Sequence, residues 1–300
     1  MTRQTVRRAI FPVAGLATRF LPVTKVQSKY MLPLIDKPTI QYAVEEAIAA
    51  GLEQVVMVTG GGNFSIYEHF DRSYELEFYL ADRGKDDLLK VLADVDRLND
   101  EIDLAYVRQE EPLGLGHAVW TARRLVEGEP CAVLLPDDVI LGDEPCLGQL
   151  IRAHAKTGGT VLAVRRVSPD QISRYGIIAT GASNGRLHEV VDLVEKPELS
   201  QAPSDLAIFG RYVLAPDVFE ALGETAPGKG KEIQLTDALK KTLERARVVA
   251  YEFEGEYYDT GTVPGYLRAN LKLALKRPEL REAMLGVVRE LIDRSELTVK

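Results

Sequence analysis

The stretch that decides the fold is "AIFPVAGLATRFLPVTKVQSKYMLP", Ala9 to Pro33. Its opening apolar run, Ala9 to Ala14, reads as a buried strand. After it come one glycine (Gly15), the pair Thr18–Arg19, spaced lysines at Lys25 and Lys29, and prolines at Pro22 and Pro33. A dinucleotide-binding loop needs three spaced glycines here, and a P-loop needs Gly-Lys-Ser/Thr. Neither is present. The pattern predicts a small-residue turn ahead of a helix, offering backbone N–H groups to an anion. Gly15 allows close backbone approach, Ala17 keeps the next bend small, and Arg19 and Lys29 stand ready for phosphate oxygens. Taken alone, the same loop also reads as a structural turn with solvated cations.

Outward from this stretch, strand and helix patterns alternate. "TIQYAVEEAIAAG" is a helix with Ile40, Ala43, Val44, Ala47 and Ile48 on one face and Gly51 closing it. "QVVMVTG" is a second buried strand, "NFSIYEHF" a short helix, and Tyr74 to Leu98 a charged helical excursion outside the sheet. "IDLAYVRQ" and "CAVLLPDD" are further strands, separated by the helix-like "GHAVWTARRLV". This rhythm predicts an α/β fold with a mostly parallel sheet covered on both faces. Ligands on such sheets sit at the carboxyl ends of strands, here the loops after Val13, Val58, Val107 and Leu135.

From about residue 158 strand-like runs dominate: "TVLAVRRV", "YGIIAT", "LHEVVDLVEKP" and "DLAIFGRYVL". They predict a smaller, more antiparallel layer continuous with the first sheet. "EIQLTDALKKTLERA" is an amphipathic helix, "ARVVAYEFEG" a strand, and the chain beyond Val263 reads as helical to its end. No linker is rich enough in Pro, Gly or Ser to separate independent units. The expected organisation is one domain over residues 1–262, with halves of about 1–157 and 158–262, and a helical tail over 263–300.

Composition bounds the function. A net charge of −8 argues against general nucleic-acid binding, which needs a basic face, but leaves room for a small anionic ligand. The apolar runs are short and interrupted by charge, which argues against a membrane span. The opening residues lack the long apolar core and cleavage site of a signal peptide. Cys131 and Cys146 fit neither a zinc spacing nor a disulfide framework, and Cys131 reads as a small buried hydrophobe. Together these features predict a protein of the reducing cytoplasm.

Three further loops carry chemistry. "LLPDD" places Asp137 at the ligand edge after a buried strand, with Asp138 supporting it or capping the next turn. "YYDTGT" offers a second acid, Asp259. Two separated carboxylates plus phosphate oxygens are a common way to hold magnesium, although a loop cap explains either aspartate alone. "VVDLVEKP" ends a strand in Glu195 and Lys196, either a solvated pair or a sugar- and phosphate-binding pair over a cleft. "GLGHA" from Gly114 sets two glycines at a helix entrance, where a flat base can lie against backbone, and His117 reads as a structural hydrogen-bonder. His69, His154 and His188 have no motif around them. The sequence displays no Ser/His/Asp or Cys/His constellation for covalent catalysis.

The ordered set "AGLATRFLPVTK", "SKYMLPL", "KPTIQYAVEE", "GLGHAV", "LLPDD", "YGII", "VEKP", "LAIFGRYVL", "KEIQLTDAL" and "YYDTG" closely resembles the bacterial UTP–glucose-1-phosphate uridylyltransferases, within the sugar nucleotidyltransferases. The resemblance runs from about Arg8 to Leu267. It implies a Rossmann-like mixed α/β sheet and magnesium-assisted formation of UDP-glucose and pyrophosphate from UTP and glucose 1-phosphate. By position, it implies that Ala14, Gly15 and Leu16 line the nucleotide loop and that Arg19 and Lys29 contact the triphosphate. Gln109 and Gly114 would face the uracil, and Asp137 and Asp259 would hold the metal. Gly176, Glu195 and Lys196 would receive glucose 1-phosphate, Glu195 on sugar hydroxyls and Lys196 on phosphate. It also implies a homo-oligomer, with the tail as one candidate contact.

The chain departs from the family pattern at four places: Ala17 for a glycine, Tyr30 for a glutamate, Leu113 for a lysine, and "YYDTGT" in a form closer to the thymidylyltransferases. The competing expectations are the same chemistry with dTTP or another sugar 1-phosphate, and a catalytically idle homologue that modulates a partner. A nicotinamide dehydrogenase is a third, disfavoured by the missing glycine fingerprint.

Overall fold

The computed structural model describes residues 5–61, 64–126 and 128–293. Asn63, expected to open a helix, and residues 294–300, expected to continue one, lie outside that range, as do residues 1–4. The chain begins with β1 (Arg8–Val13), β2 (Pro33–Leu34), β3 (Lys37–Pro38), α1 (Thr39–Ala49) and β4 (Gln54–Thr59). There follow α2 (Phe64–Phe70), α3 (Tyr74–Asp82), α4 (Asp86–Glu101), β5 (Asp103–Arg108), α5 (Leu115–Thr121), β6 (Cys131–Leu134) and β7 (Asp138–Leu141). The second half runs α6 (Cys146–Thr157), β8 (Thr160–Arg166), β9 (Gly176–Asn184), β10 (Leu187–Glu195), β11 (Leu206–Leu214) and α7 (Asp217–Gly223). It ends with α8 (Leu235–Thr242), β12 (Val248–Glu252), β13 (Glu256–Asp259), α9 (Val263–Lys276) and α10 (Pro278–Asp293).

Nine strands form one sheet in the order β5-β4-β1-β6-β11-β8-β12-β10-β9. The four strands from the first half are parallel throughout, Val13 lying beside Thr59 and Thr59 beside Arg108. Their carboxyl ends therefore point one way and present four loops together. In the second half only β8 and β12 are parallel. β11 runs antiparallel to both β6 and β8, and β10 antiparallel to β12 and β9. The antiparallel part is thus an extension of the same sheet and not a layer stacked on it.

Side-chain alternation explains the two cores. Ala9, Phe11 and Val13 of β1 face a cluster with Ile40, Val44 and Leu147, beneath α1 and α6. Ile10 faces the other way, into a cluster with Val119, Val218 and Leu239, beneath α5, α7 and α8. A strand buried on both faces must be apolar at every position, which is why these runs stand out in the sequence. α1 ends where Gly51 takes a φ of +81°, a conformation that costs glycine little. The charged excursion is two helices, α3 and α4, separated at Gly84 (φ +62°). α9 docks on the domain through a small cluster of Leu34, Val139, Tyr258, Ala269 and Leu273. Both cysteines are buried and free, and among the described residues no helix is long and apolar enough to cross a membrane.

Candidate active site

The loop after β1 differs from expectation in one respect. No α-helix follows it. Residues Thr18–Phe20, Val23–Lys25 and Lys29–Met31 form three separate 3-10 turns. Pro22 and Pro33 lack the N–H that a continuing helix would need, so the first α-helix waits until Thr39. Any anion here therefore meets loop N–H groups and side chains, not a helix terminus. Ala17 adopts φ 51°, ψ 37°, a left-handed conformation in which its carbonyl accepts bonds from Thr24 Oγ1 (2.8 Å) and the Phe20 amide (3.2 Å). Beside the loop, a Cβ on Gly60 would lie 3.3 Å from the Ala14 carbonyl oxygen, so the ends of β1 and β4 pass closely.

Lys29 reaches out of its turn to Asp137, Nζ to Oδ2 at 2.5 Å. Burial works against its charge, but Tyr30 and Asp137 beside it outweigh burial and hold its pKa above the ordinary lysine value. Tyr30 lies beneath it. The ring centroid is 4.8 Å from Lys29 Nζ, the hydroxyl donates to the Pro12 carbonyl at 3.1 Å, and burial pushes the phenol up to about 12. At this position an aromatic platform backs the cation.

Asp137 follows β6, and its backbone carbonyl accepts from both the amide and hydroxyl of Thr260 at 2.8 Å. That tie joins the two acidic loops. Both carboxylates then flank Gly261: a Cβ there would sit 2.8 Å from Asp137 Oδ2 and 3.4 Å from Asp259 Oδ1. Asp259 accepts from the Gly261 amide (3.0 Å), Thr262 Oγ1 (3.0 Å) and Arg174 Nη2 (2.8 Å). Arg19 Nη1 lies 3.5 Å from the Gly261 carbonyl oxygen. Asp138 turns away from this centre. Its oxygens accept from the Gly210 amide at 2.9 Å and the Tyr257 hydroxyl at 2.7 Å. Burial first, and then the charge of Asp137, push its pKa up to about 6. It anchors the loop from below.

On the opposite wall, Glu195 ends β10 and Lys196 follows with φ 44°. Lys196 Nζ is 3.1 Å from Glu195 Oε1, and Thr236 Oγ1 donates to Glu195 Oε2 at 2.7 Å. Gly176 opens β9 against this group: a Cβ would come within 3.1 Å of Thr236 Oγ1 and 3.3 Å of Glu195 Oε2.

These residues line two cavities that meet at the Lys29–Asp137 pair. Ala14, Gly15, Leu16, Lys29 and Gln109 surround one of about 270 Å³. Arg19, Asp137, Gly176, Glu195, Lys196 and Asp259 surround one of about 1260 Å³. Gly114 lines neither, but its carbonyl accepts from Gln109 Nε2 at 3.3 Å, and His117 Nδ1 lies 2.8 Å from the same nitrogen. The smallness of Gly116 has its own cause: its amide donates to the Ile233 carbonyl at 2.8 Å, and a Cβ would collide with that oxygen at 2.7 Å.

Sequence reasoning missed Arg174 and Thr236, since an arginine in a short turn and a threonine opening a helix carry no local mark. It also missed a row of Ser183, His188 and Glu252. Ser183 Oγ is 2.8 Å from His188 Nδ1, and His188 Nε2 is 2.7 Å from Glu252 Oε1. Two hairpin strands and β12 bring these residues together, so the spacing that marks such rows in a sequence is absent. No member of the row lines either cavity, and it ties strands together.

A parallel strand block whose loops set cations against two carboxylates, beside a second cavity holding a carboxylate and a lysine, has the form of a group-transfer enzyme acting on phosphates. A family model described as nucleotidyl transferase matches residues 9–276, and the chain belongs to that family. It is 47% identical to a UTP–glucose-1-phosphate uridylyltransferase of Bacillus subtilis (strain 168), over 97% of this chain and 99% of that protein. Its fold is similar to a UDP-glucose pyrophosphorylase complexed with UDP-glucose, with TM-score 0.83 and 42% identity, over 91% of this chain and 100% of that one. A UTP-bound UGPase from Acinetobacter baumannii superposes with TM-score 0.88 at 37% identity, over 96% of this chain and 100% of that one.

Proposed function

We propose that this chain joins UTP and glucose 1-phosphate to give UDP-glucose and pyrophosphate. The observation that carries this reading is the Lys29–Asp137 pair at 2.5 Å, where the smaller cavity meets the larger. The smaller takes the nucleotide, with Ala14, Gly15, Leu16, Gln109 and the Gly114 segment around it. The larger takes the sugar phosphate, with Gly176, Glu195 and Lys196 as its floor.

The nucleophile, a phosphate oxygen of glucose 1-phosphate, is already anionic, so no general base is needed. It attacks the α-phosphorus of UTP in line as the bond to pyrophosphate breaks. What the protein must do is hold two anions together against their repulsion. Lys29 and Arg19 offset the charge of the triphosphate, and Lys196 that of the incoming phosphate. Asp137 and Asp259 flank one glycine and offer hard oxygen donors, a set that fits magnesium completed by phosphate oxygens and water. Among the described residues no group of three or more His, Cys, Asp or Glu side chains is arranged to hold a metal. Bound magnesium would supply Lewis-acid neutralisation of phosphate charge.

The same reading places the protein in the cytoplasm as a homo-oligomer, where the exposed Leu267, Leu271, Val287 and Ile292 of α9 and α10 give the tail apolar surface for a second copy. The test is pyrophosphate release across a panel of nucleoside triphosphates and sugar 1-phosphates, with and without magnesium. Highest turnover is expected with UTP, glucose 1-phosphate and magnesium together. Equal or better turnover with dTTP or another sugar would move the assignment to a relative, and none with any pair would make the chain an idle homologue.

A further inference from the structure

We propose that Thr236 is a positioning residue for sugar recognition, acting through Glu195; the inference rests on the reading of Glu195 as the sugar-binding carboxylate. Thr236 is the second residue of α8, past the N-cap position whose side chains serve a helix's free amides. Its hydroxyl is used elsewhere. It donates to Glu195 Oε2 at 2.7 Å, across a sequence separation of 41 residues. The other carboxylate oxygen, Oε1, is 3.1 Å from Lys196 Nζ, and Glu195 is held between a cation and a hydroxyl.

Three further features make this a built arrangement. Glu195 is only 13% exposed at its side chain, so its rotamer depends on such partners. The carboxylate sits at the N-terminus of α8, whose dipole favours negative charge. Gly176 leaves the space: any Cβ there would press on both Thr236 Oγ1 (3.1 Å) and Glu195 Oε2 (3.3 Å). All three residues line the larger cavity. A carboxylate that reads sugar hydroxyls must point in one direction to discriminate epimers, because a hydrogen bond weakens steeply when misaligned. The hydroxyl of Thr236 sets that direction, and Lys196 alone, as a point charge on a flexible stem, does not.

The test compares Thr236→Val, Thr236→Ser and Glu195→Gln by steady-state kinetics in both substrates. Thr236→Val keeps the shape and removes the donor. The expected result is a rise of roughly tenfold in KM for glucose 1-phosphate, the scale of one hydrogen bond to a charged group, with KM for UTP unchanged. Rejection of an epimeric hexose 1-phosphate should weaken in parallel, and Thr236→Ser should restore both. If Thr236→Val leaves the sugar KM alone while Glu195→Gln raises it, this proposal is overturned and the reading of Glu195 stands. If Glu195→Gln also leaves it alone, the reading of Glu195 falls and the proposal with it. Equal damage to both KM values, or no rescue by serine, marks a merely structural role and overturns it. Should Thr236→Val fail to fold, Thr236→Ala against Thr236→Ser decides between the same outcomes.

Discussion

Lys29 and Asp137 touch at the centre of the site and carry opposite charges that substrate phosphates and a metal would each compete for. Removing either should therefore cost far more in turnover than in stability. Lys29→Ala and Asp137→Ala are each expected to lower kcat on the order of a hundredfold or more, with thermal melts close to the parent's; near-normal kcat in either variant would contradict the mechanism. Ala17 presents the opposite case. It holds a left-handed backbone (φ 51°) that disfavours any residue with a Cβ. Ala17→Gly should gain about 1 kcal/mol of stability by relieving that conformation, read as a higher urea midpoint, while KM for UTP changes little. These residues were legible in the sequence through the strands before them: Arg19 and Lys29 lie in the loop that follows β1, and Asp137 in the loop that follows β6. What Tyr30 does was not, because its role comes from lying over Pro12 and under Lys29, and no linear pattern records that.

Among the elements, strands buried on both faces were legible as continuous apolar runs such as Val55 to Val58. The loop after β1 reads in the sequence as a small-residue turn ahead of a helix, because strand–turn–helix is the usual rhythm of such a sheet, while Pro22 and Pro33 lack the N–H that a helix would need there. The docking of α9 on β13 was not legible at all. Its apolar cluster is supplemented at the surface by Glu256, which accepts from the Tyr258 hydroxyl of its own strand at 2.6 Å and from Lys276 Nζ of α9 at 2.9 Å. The Tyr258 bond first, and then Lys276, lower the Glu256 pKa from the ordinary 4.5 to about 2. A depressed folded-state value means the contribution is full above about pH 4.5 and lost as pH falls toward 2. Amide exchange in α9 should accelerate across that window relative to the sheet, and Glu256→Gln should remove that pH dependence; α9 protection that is flat from pH 5 to 2 in the parent would refute it.

For the molecule as a whole, one buried ion pair spans the two halves. Glu46 of α1 bonds Arg211 of β11 at 2.7 Å and 3.0 Å, with side chains only 7% and 1% exposed. Glu46 also accepts from the Leu147 amide, while Arg211 donates to the Leu135 carbonyl at 3.0 Å, just before Asp137. Glu46→Ala would leave a buried guanidinium without its counter-charge, and a loss of about 3–5 kcal/mol is expected in chemical denaturation. Turnover should fall as well, since the loop bearing Asp137 loses its brace; an unchanged denaturation midpoint would count against the pair as the tie. In the sequence Arg211 is one charge in the apolar run "LAIFGRYVL". Its partner lies 165 residues away, beyond the reach of any periodicity.

The position of β11 bears on how the protein is made. Its residues, 206–214, come late in the chain, yet the strand lies between β6 and β8, in the middle of the sheet. During synthesis the parallel block β5-β4-β1-β6 emerges first with the edge of β6 bare, and at ribosomal speeds of about 5–20 residues per second it waits several seconds for its partner. An open, apolar strand edge is a template for pairing with another nascent chain. β11 joins early and late parts of the chain in one sheet, and the interval before it arrives is when a crowded polysome carrying this message is exposed to misassembly.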